Sequence, residues 1–429
     1  VNQTTAAEYH DDIIYPGTIP FVLVHLTCLA AIWTGVTRTA VTIAIGLFLL
    51  RMLAVTAGYH RYFSHRSFKT SRTFQFVLAF IAQSSTQQGA LWWAAKHRQH
   101  HRHSDTELDV HSPRQRGFWF SHVGWIFSRS QKNADYSLVP DLMRYPELRW
   151  LDRHHRIPGF ALAVACLAVG GWPGLIVGFF WSTTVLYHCT FFINSLAHVV
   201  GNQRYVTGDD SRNNWWLAIL TFGEGWHNNH HHYQASTRQG FRWWEIDVTF
   251  YVLKVLSWTG LVWDLKAPPE EVVRGEKPLP RPVVEKVAHQ LAASFSTASI
   301  SDRIRDAWRE KPSLAELRAR ATQARAQAEA LLARIQLPEV HFPDVHFPDV
   351  SAASLEDLRR RAQEARARAE ALLREVELPA MPSLDELKRR AREMYAASPS
   401  LDDVVERARQ ILVTAVSNEL LGRPLPSPA

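Results

Sequence analysis

Apolar residues fall into long blocks along this chain, and polar, histidine-rich segments begin where the blocks end. Residues 19–37 and 39–58 are apolar runs separated by a short link at Thr37-Arg38. Each is close to the ~20 residues a membrane-spanning helix needs. They predict a helical hairpin that exits at His60. Residues 157–198 form a second apolar block, broken at Gly170-Gly171-Trp172-Pro173-Gly174. They predict a second hairpin that re-emerges at His198. Residues 74–94 are apolar at both ends but carry Gln83, Ser84, Ser85, Thr86, Gln87 and Gln88 inside. Such a stretch predicts an interfacial or re-entrant helix. Residues 246–263, which include Asp247 and Lys254, predict the same.

Four short clusters stand at the ends of these blocks. They read His60-Arg-Tyr-Phe-Ser-His65, His97-Arg-Gln-His100-His101, Asn194-Ser-Leu-Ala-His198 and His227-Asn-Asn-His230-His231. A neutral imidazole is a good ligand for iron, zinc or copper. Nine histidines exceed what one tetrahedral zinc takes, and they suit two metals in a nitrogen-rich site. On a helix, positions i, i+3 and i+4 share a face. His97, His100 and His101 are therefore expected to point one way, as are His227, His230 and His231. Asn194 and His198 are also four apart. His60 and His65, five apart, fit a helix end that frays into a loop. A shared site requires the first two clusters on one side of the membrane, which a crossing at 74–94 would forbid.

That leaves four spans with both termini on one side. The loop 59–156 carries 15 Lys/Arg against 7 Asp/Glu, whereas the outer links carry only Arg38. The positive-inside bias places the loop, the histidines and both termini in the cytoplasm, as in a bacterial inner membrane. The net charge of +7 over 429 residues follows from this topology. No nucleic-acid-binding motif accompanies it. Residues 1–279 hold 15 of the 16 tryptophans and 18 of the 21 histidines, while residues 280–429 hold 45 charged residues. The division predicted is an N-terminal segment 1–18, a membrane domain 19–279 and a charged tail 280–429. Val1 to Pro20 lacks a basic stretch leading into an apolar core, so no cleaved signal peptide is predicted. Cys28, Cys166 and Cys189 lie in apolar stretches without CxxC spacing, which argues against a disulfide framework or a cysteine metal site.

The ordered clusters, with Gly223-Glu-Gly-Trp-His-Asn-Asn-His-His231, Phe120-Ser-His-Val-Gly-Trp125 and Trp243-Trp-Glu-Ile-Asp-Val-Thr249, resemble the membrane fatty-acyl desaturases. The resemblance runs over roughly residues 15–267 and is closest to the stearoyl-CoA (acyl-CoA delta-9) desaturases and their bacterial relatives. It implies an all-α integral membrane protein of four transmembrane helices with a cytoplasmic helical cap; a C-terminal coiled-coil-like tail is expected beyond it. It implies a diiron centre held by His60, His65, His97, His100, His101, His198, His227, His230 and His231, with Asn194 reaching a metal through water. Gln87, Trp93 and Thr190 match the residues that bend the acyl tunnel in that family. The activity implied is oxygen-dependent insertion of a cis double bond, at delta-9, into a saturated acyl-CoA for unsaturated fatty acid synthesis. Removing hydrogen from an unactivated methylene needs a metal–oxygen oxidant, since no side chain supplies one. Glu224 and Asp247 are candidates for orienting ligating imidazoles, with surface ion pairs as the other reading. His188 reads as a hydrogen-bonded buried histidine. His103, His111, His122, His154, His155 and His232 read as loop or supporting residues. Where animal relatives carry Arg-Asp and Arg-Lys pairs near the CoA headgroup, this chain has Ala95-Lys96 and Arg129-Ser130, so headgroup recognition is expected to differ: acyl-CoA is the first expectation, with a glycerolipid or a carrier-protein acyl ester as the alternatives.

Within the tail, residues 313–340 and 354–381 repeat with 16 of 28 positions identical. Each keeps a seam with alternating spacings of three and four, the coiled-coil period. A shorter unit begins at Ser383-x-x-Glu386. The alanine-rich seam predicts weak self-association or docking of a partner. The tail has no His-Pro-Gly-Gly segment of the cytochrome b5 kind. Electrons are therefore expected from a separate ferredoxin, cytochrome b5-like protein or flavin reductase. Two alternatives share parts of the pattern. A membrane hydroxylase of fatty acids, sterols or alkanes uses similar histidine boxes. A metal transporter would place polar ligands at mid-membrane, whereas these clusters lie at the ends of the apolar blocks.

Overall fold

The computed structural model describes residues 19–128, 133–309 and 381–420. The chain forms two compact units. One holds residues 1–283 and 395–401, the other residues 284–394 and 402–429. Two helices of the first unit, Arg38–Ser64 and Arg156–His198, are long and apolar enough to cross a membrane, and Ile19–Thr34 and Val248–Trp258 are shorter apolar helices. Ile32, Trp33, Phe160 and Val169 on these helices are each more than 70% exposed. That much bare apolar surface suits lipid rather than water.

The Arg38–Ser64 helix opens with the Thr37 hydroxyl accepting from Ala40 N. Ahead of the π-turns its buried charge is one arginine. Arg51 is fully buried, and its guanidinium donates to Ser182 Oγ (2.5 Å), Thr183 Oγ1 (2.8 Å) and the Leu47 and Ser84 carbonyls. From Ala54 the helix widens into π-turns that run to Ser64, every residue buried. The i→i+5 bonding of a π-turn is common at functional sites, and here His65 N donates to His60 O at 3.2 Å. The five-residue spacing of His60 and His65 therefore reflects a widened, ordered turn. The expectation of a fraying helix end is corrected.

Arg156–His198 is a hairpin rather than one rod. Gly171 leaves helical geometry (φ 61°, ψ −156°). A Cβ on Gly174 would lie 2.4 Å from the Cys166 carbonyl oxygen. Residues eight apart on a straight helix stand ~12 Å apart, so the chain doubles back here.

Residues 74–94 form a broken element. Helix Arg72–Gln83, capped by Ser71, ends at a turn, and helix Ala90–His103 leads away from it. Asp152 Oδ1 caps the second helix by accepting from Leu91 N (2.9 Å) and Trp92 N (3.0 Å). Twelve helical residues reach ~18 Å, short of a ~30 Å hydrocarbon core. Neither helix of this element is long enough to cross one. Buried Tyr59, Phe63, Leu78, Ala82, Ala94 and Leu151 pack this element onto the π-turns. A two-residue antiparallel ribbon, Lys69–Thr70 with Val262–Trp263, is an exception to an all-helical chain.

The second unit is helical where described. Val287, Leu291, Ile304, Leu387, Val404, Ala408 and Leu412 are buried in it, and Arg407 forks onto Glu285 at 2.7 and 2.6 Å. Ser383 Oγ accepts from Glu386 N, the cap that Ser383-x-x-Glu386 predicts. The repeats lie outside the described residues, apart from Met381 at the end of the second.

The hairpin geometry predicts opposite outcomes for two glycines. Gly174→Ala forces backbone against backbone and should cost about 1–3 kcal/mol, lowering the thermal midpoint in detergent. At Gly46 a Cβ would meet nothing within 4 Å, so Gly46→Ala should leave the midpoint unchanged or raise it. Equal effects would contradict the doubled-back hairpin.

Candidate metal centre

All nine histidines converge, in two groups. His60, His65, His97, His101 and His230 bring one ring nitrogen each within 4.8 Å of one another, and His100, His198, His227 and His231 do the same. Each HxxHH box is thereby divided. His97 and His101, four apart, join the first group, while His100 joins the second. His227 and His231 join the second group, while His230 joins the first. Neighbouring helical positions point ~100° apart, so adjacent histidines cannot serve one cation. The expectation that each box points one way is corrected: each box straddles two sites.

Neutral imidazoles cannot satisfy this arrangement alone. In the first group, Nε2 of His97 lies 2.9 Å from Nε2 of both His65 and His101. His101 Nε2 is 2.9 Å from His230 Nε2, which is 3.0 Å from His60 Nε2. A neutral ring nitrogen is either a donor or a single-lone-pair acceptor. A chain of such contacts therefore leaves lone pairs shared or opposed. A cation among them accepts every lone pair at once. In the second group His198 Nε2 and His227 Nε2 stand 3.1 Å apart, and the buried His231 Nε2 has no hydrogen-bond partner.

Four carboxylates decide which nitrogen faces inward. His60 Nδ1 meets Glu224 at 2.5 Å, His100 Nδ1 meets Asp109 at 3.0 Å, His198 Nδ1 meets Asp105 at 3.0 Å and His231 Nδ1 meets Asp209 at 2.8 Å. An ionised carboxylate only accepts, so Nδ1 must donate and Nε2 keeps its lone pair for a metal. Burial pushes these carboxyls up, but the facing imidazoles outweigh it. Asp109 is held down to about 2 by His100, and Asp209 well below the usual range by His231. Glu224 is likewise lowered, by His60 and then Arg61. Burial, then the neighbouring imidazoles, pulls His97, His101, His227 and His230 well below an ordinary histidine. Neutral rings are the ligating form.

Glu224 does orient an imidazole. Asp247 does not, and it is not a surface ion pair. It is fully buried, accepts from Arg61 Nη1 (2.9 Å) and Gln239 N (2.7 Å), and caps the Val248–Trp258 helix through Phe250 N (3.0 Å). Asp105, Asp109 and Asp209 were missed in the sequence. The available signal was Asp105 and Asp109 directly after the second box, and Asp209 in the polar segment between the third and fourth clusters. Asn228 and Asn229 brace the fourth cluster, Asn228 Oδ1 accepting from Arg204 N and Tyr205 N and Asn229 Nδ2 donating to Glu245.

A cavity of about 470 Å³ abuts the first group, with His97, Asn194, Gln87, Trp93 and Thr190 in its wall. Gln87 Nε2 donates to Thr190 Oγ1 at 3.1 Å. Trp93 stacks on His97 and on Tyr59, with centroids 4.8 and 5.4 Å apart. His111 lies against His100 and Asp109 and lines the same cavity. His188 bonds to His25 (3.2 Å) and His122 (3.0 Å), away from both groups. The three cysteines are free and outside the site.

Known proteins with this pattern were found. The family model for fatty acid desaturases matches residues 36–256. The chain is 40% identical over 259 residues to a palmitoyl-monogalactosyldiacylglycerol delta-7 desaturase of Arabidopsis thaliana, covering 59% of this chain and 69% of that one. It is 37% identical to an sn-1 stearoyl-lipid 9-desaturase of Anabaena variabilis, covering 61% and 97%. It is 38% identical to an acyl-CoA 5-desaturase of Anemone leveillei, covering 57% and 77%.

If Asp209 fixes the His231 tautomer, Asp209→Asn should weaken metal retention about 10–100-fold, measured as metal left per chain across a chelator titration. His188→Gln should leave that titration unchanged. Retention by Asp209→Asn equal to wild type would contradict the tautomer assignment.

Proposed function

The chain belongs to the fatty acid desaturase family, and on that premise we propose that it inserts a cis double bond at delta-9 into a saturated acyl chain lodged in the 470 Å³ cavity. The observation that carries this is the contiguity of the cavity with the first histidine group through His97, which lines both. The metal ligands are the nine histidines, with Asn194 through water. Two iron ions, when bound, supply the dioxygen-dependent oxidation of an unactivated methylene. The protein contributes placement. An alkyl chain offers no hydrogen bond to read, so walls must position it. The Gln87–Thr190 bridge crosses the wall, and Trp93 seals the cavity against His97. The carboxylates hold the imidazoles in one tautomer, so nothing need reorganise when substrate enters.

For the headgroup we favour an acyl-CoA. Lys96 and Arg156 stand in the cavity wall, and no carboxylate is among its described lining residues. That charge suits a phosphate-bearing group better than an uncharged galactolipid. Electrons come from a separate protein. Four spans, Ile19–Thr34, Arg38–Ser64 and the two limbs of Arg156–His198, would set the histidines and termini on the cytoplasmic side. The basic excess of loop 59–156 supports this orientation. Exposed Trp119, Trp215, Trp243 and Trp258 suit a cap seated at the headgroup level. Residues 280–429 act as an appended module for self-association or partner docking.

Expressed in a host unable to make monounsaturated fatty acids, wild type should yield a cis C9 double bond from C16 or C18 acids, and His230→Ala none. A hydroxylated product, or the same product from both proteins, would overturn the assignment. With purified enzyme, Lys96→Gln with Arg156→Gln should raise KM for acyl-CoA roughly tenfold or more, at about 1.5–3 kcal/mol per charged hydrogen bond. Unchanged KM would exclude the phosphate-bearing headgroup at this wall.

A further inference from the structure

The turn Ser84–Gly89 joins helices Arg72–Gln83 and Ala90–His103, and its backbone is strained. Thr86 (φ 59°) and Gln88 (φ 70°) occupy the left-handed region without being glycine. For a β-branched residue this is an outlier, costing on the order of 1–3 kcal/mol, and it persists only where surroundings over-determine it.

Here they do, from four sides. Arg51 Nη1 donates to Ser84 O at 3.4 Å. Tyr59 Oη donates to Gln88 O at 2.6 Å. Gln87 reaches Thr190 as described. Tyr187 is hydrogen-bonded through its hydroxyl to that of Thr86 and lies 3.1 Å from the Thr86 carbonyl oxygen. On the other side the Thr86 methyl rests on bare backbone: a Cβ at Gly159 would stand 2.5 Å from Thr86 Cγ2. Thr86 is thus gripped by its hydroxyl and by its methyl, from the two limbs of one hairpin. Thr86, Gln87, Gln88 and Tyr187 all line the cavity.

We propose that Thr86, locked in this turn by Tyr187 and Gly159, is a specificity-determining residue that fixes which pair of acyl carbons stands at the metal centre. The inference rests on the cavity being the acyl site. With the headgroup anchored at one end, wall shape sets where along its length an alkyl chain bends, since the chain offers no hydrogen bond. A side-chain wall yields by changing rotamer, whereas a backbone turn held at each residue does not. The chain must bend where the turn stands, and the same carbons then meet the histidines. Freeing Thr86 lets the turn relax toward ordinary backbone angles, and the register slips by one or two carbons.

The test is the positional-isomer ratio of the product, read by mass spectrometry from cells expressing the full-length chain. Thr86→Ala loses the hydroxyl contact, and Gly159→Ala drives a methyl into Thr86. Each should raise the ratio of off-position to main double bond roughly five- to tenfold, the order of one net hydrogen bond. The double variant Gly159→Ala with Thr86→Ser keeps the hydroxyl and removes the clashing methyl, so it should return the ratio toward wild type. Val24→Trp, which fills the cavity elsewhere, should shorten the accepted acyl chain or abolish product. Lower yield at an unchanged ratio in Thr86→Ala and Gly159→Ala, with Val24→Trp effective, overturns the role of Thr86 alone. An unaffected product profile in Val24→Trp overturns the acyl cavity and this proposal with it.

Discussion

Nine imidazoles crowd into two mostly buried groups, and the rest of the fold is arranged around making that tolerable. Ring nitrogens stand about 3 Å apart in a chain through the first group, a geometry that protons cannot satisfy and cations can. Without cations, several buried lone pairs would lack partners, and each such group costs ~1–3 kcal/mol. Metal binding and correct packing are therefore linked. The four carboxylates add a second condition. They lock four rings into the ligating tautomer, and their own burial is offset only because those rings face them.

Delivering histidines from four distant segments requires the helices to depart from ideal geometry. The π-turns through Ala54–Ser64 bring His60 and His65 to one face. The broken element at 72–103 sends the second box back to the side of the first. Arg61, beside His60, ties the π-turns to the loops after the fourth cluster by donating to Asp247 and Thr237. The cavity beside the first histidine group depends on the same devices, since the turn that lines it is the break between the Arg72–Gln83 and Ala90–His103 helices.

Much of this was legible in the residues. The apolar blocks and the ordered histidine clusters pointed to a membrane-associated metal enzyme, and the polar run Gln83–Gln88 marked the break in 74–94. The hairpin at Gly171 was written in its Gly-Gly-Trp-Pro-Gly run. Three things were not legible. Periodicity assumes an α-helix, so a π-turn made the His60–His65 spacing look like fraying. Spacing shows which positions share a face but not how many cations they face, so the division of each HxxHH box was hidden. The roles of Asp105, Asp109 and Asp209 depend on tertiary contacts across up to 93 residues, beyond the reach of local pattern.

The two histidine groups predict a two-cation centre built only from nitrogen and oxygen donors. X-ray absorption on anaerobically purified full-length protein, with iron counted per chain, tests it most directly. Two irons per chain with nitrogen and oxygen scatterers alone is the predicted result. One iron per chain at full loading, or a sulfur scatterer in the first shell, would contradict it.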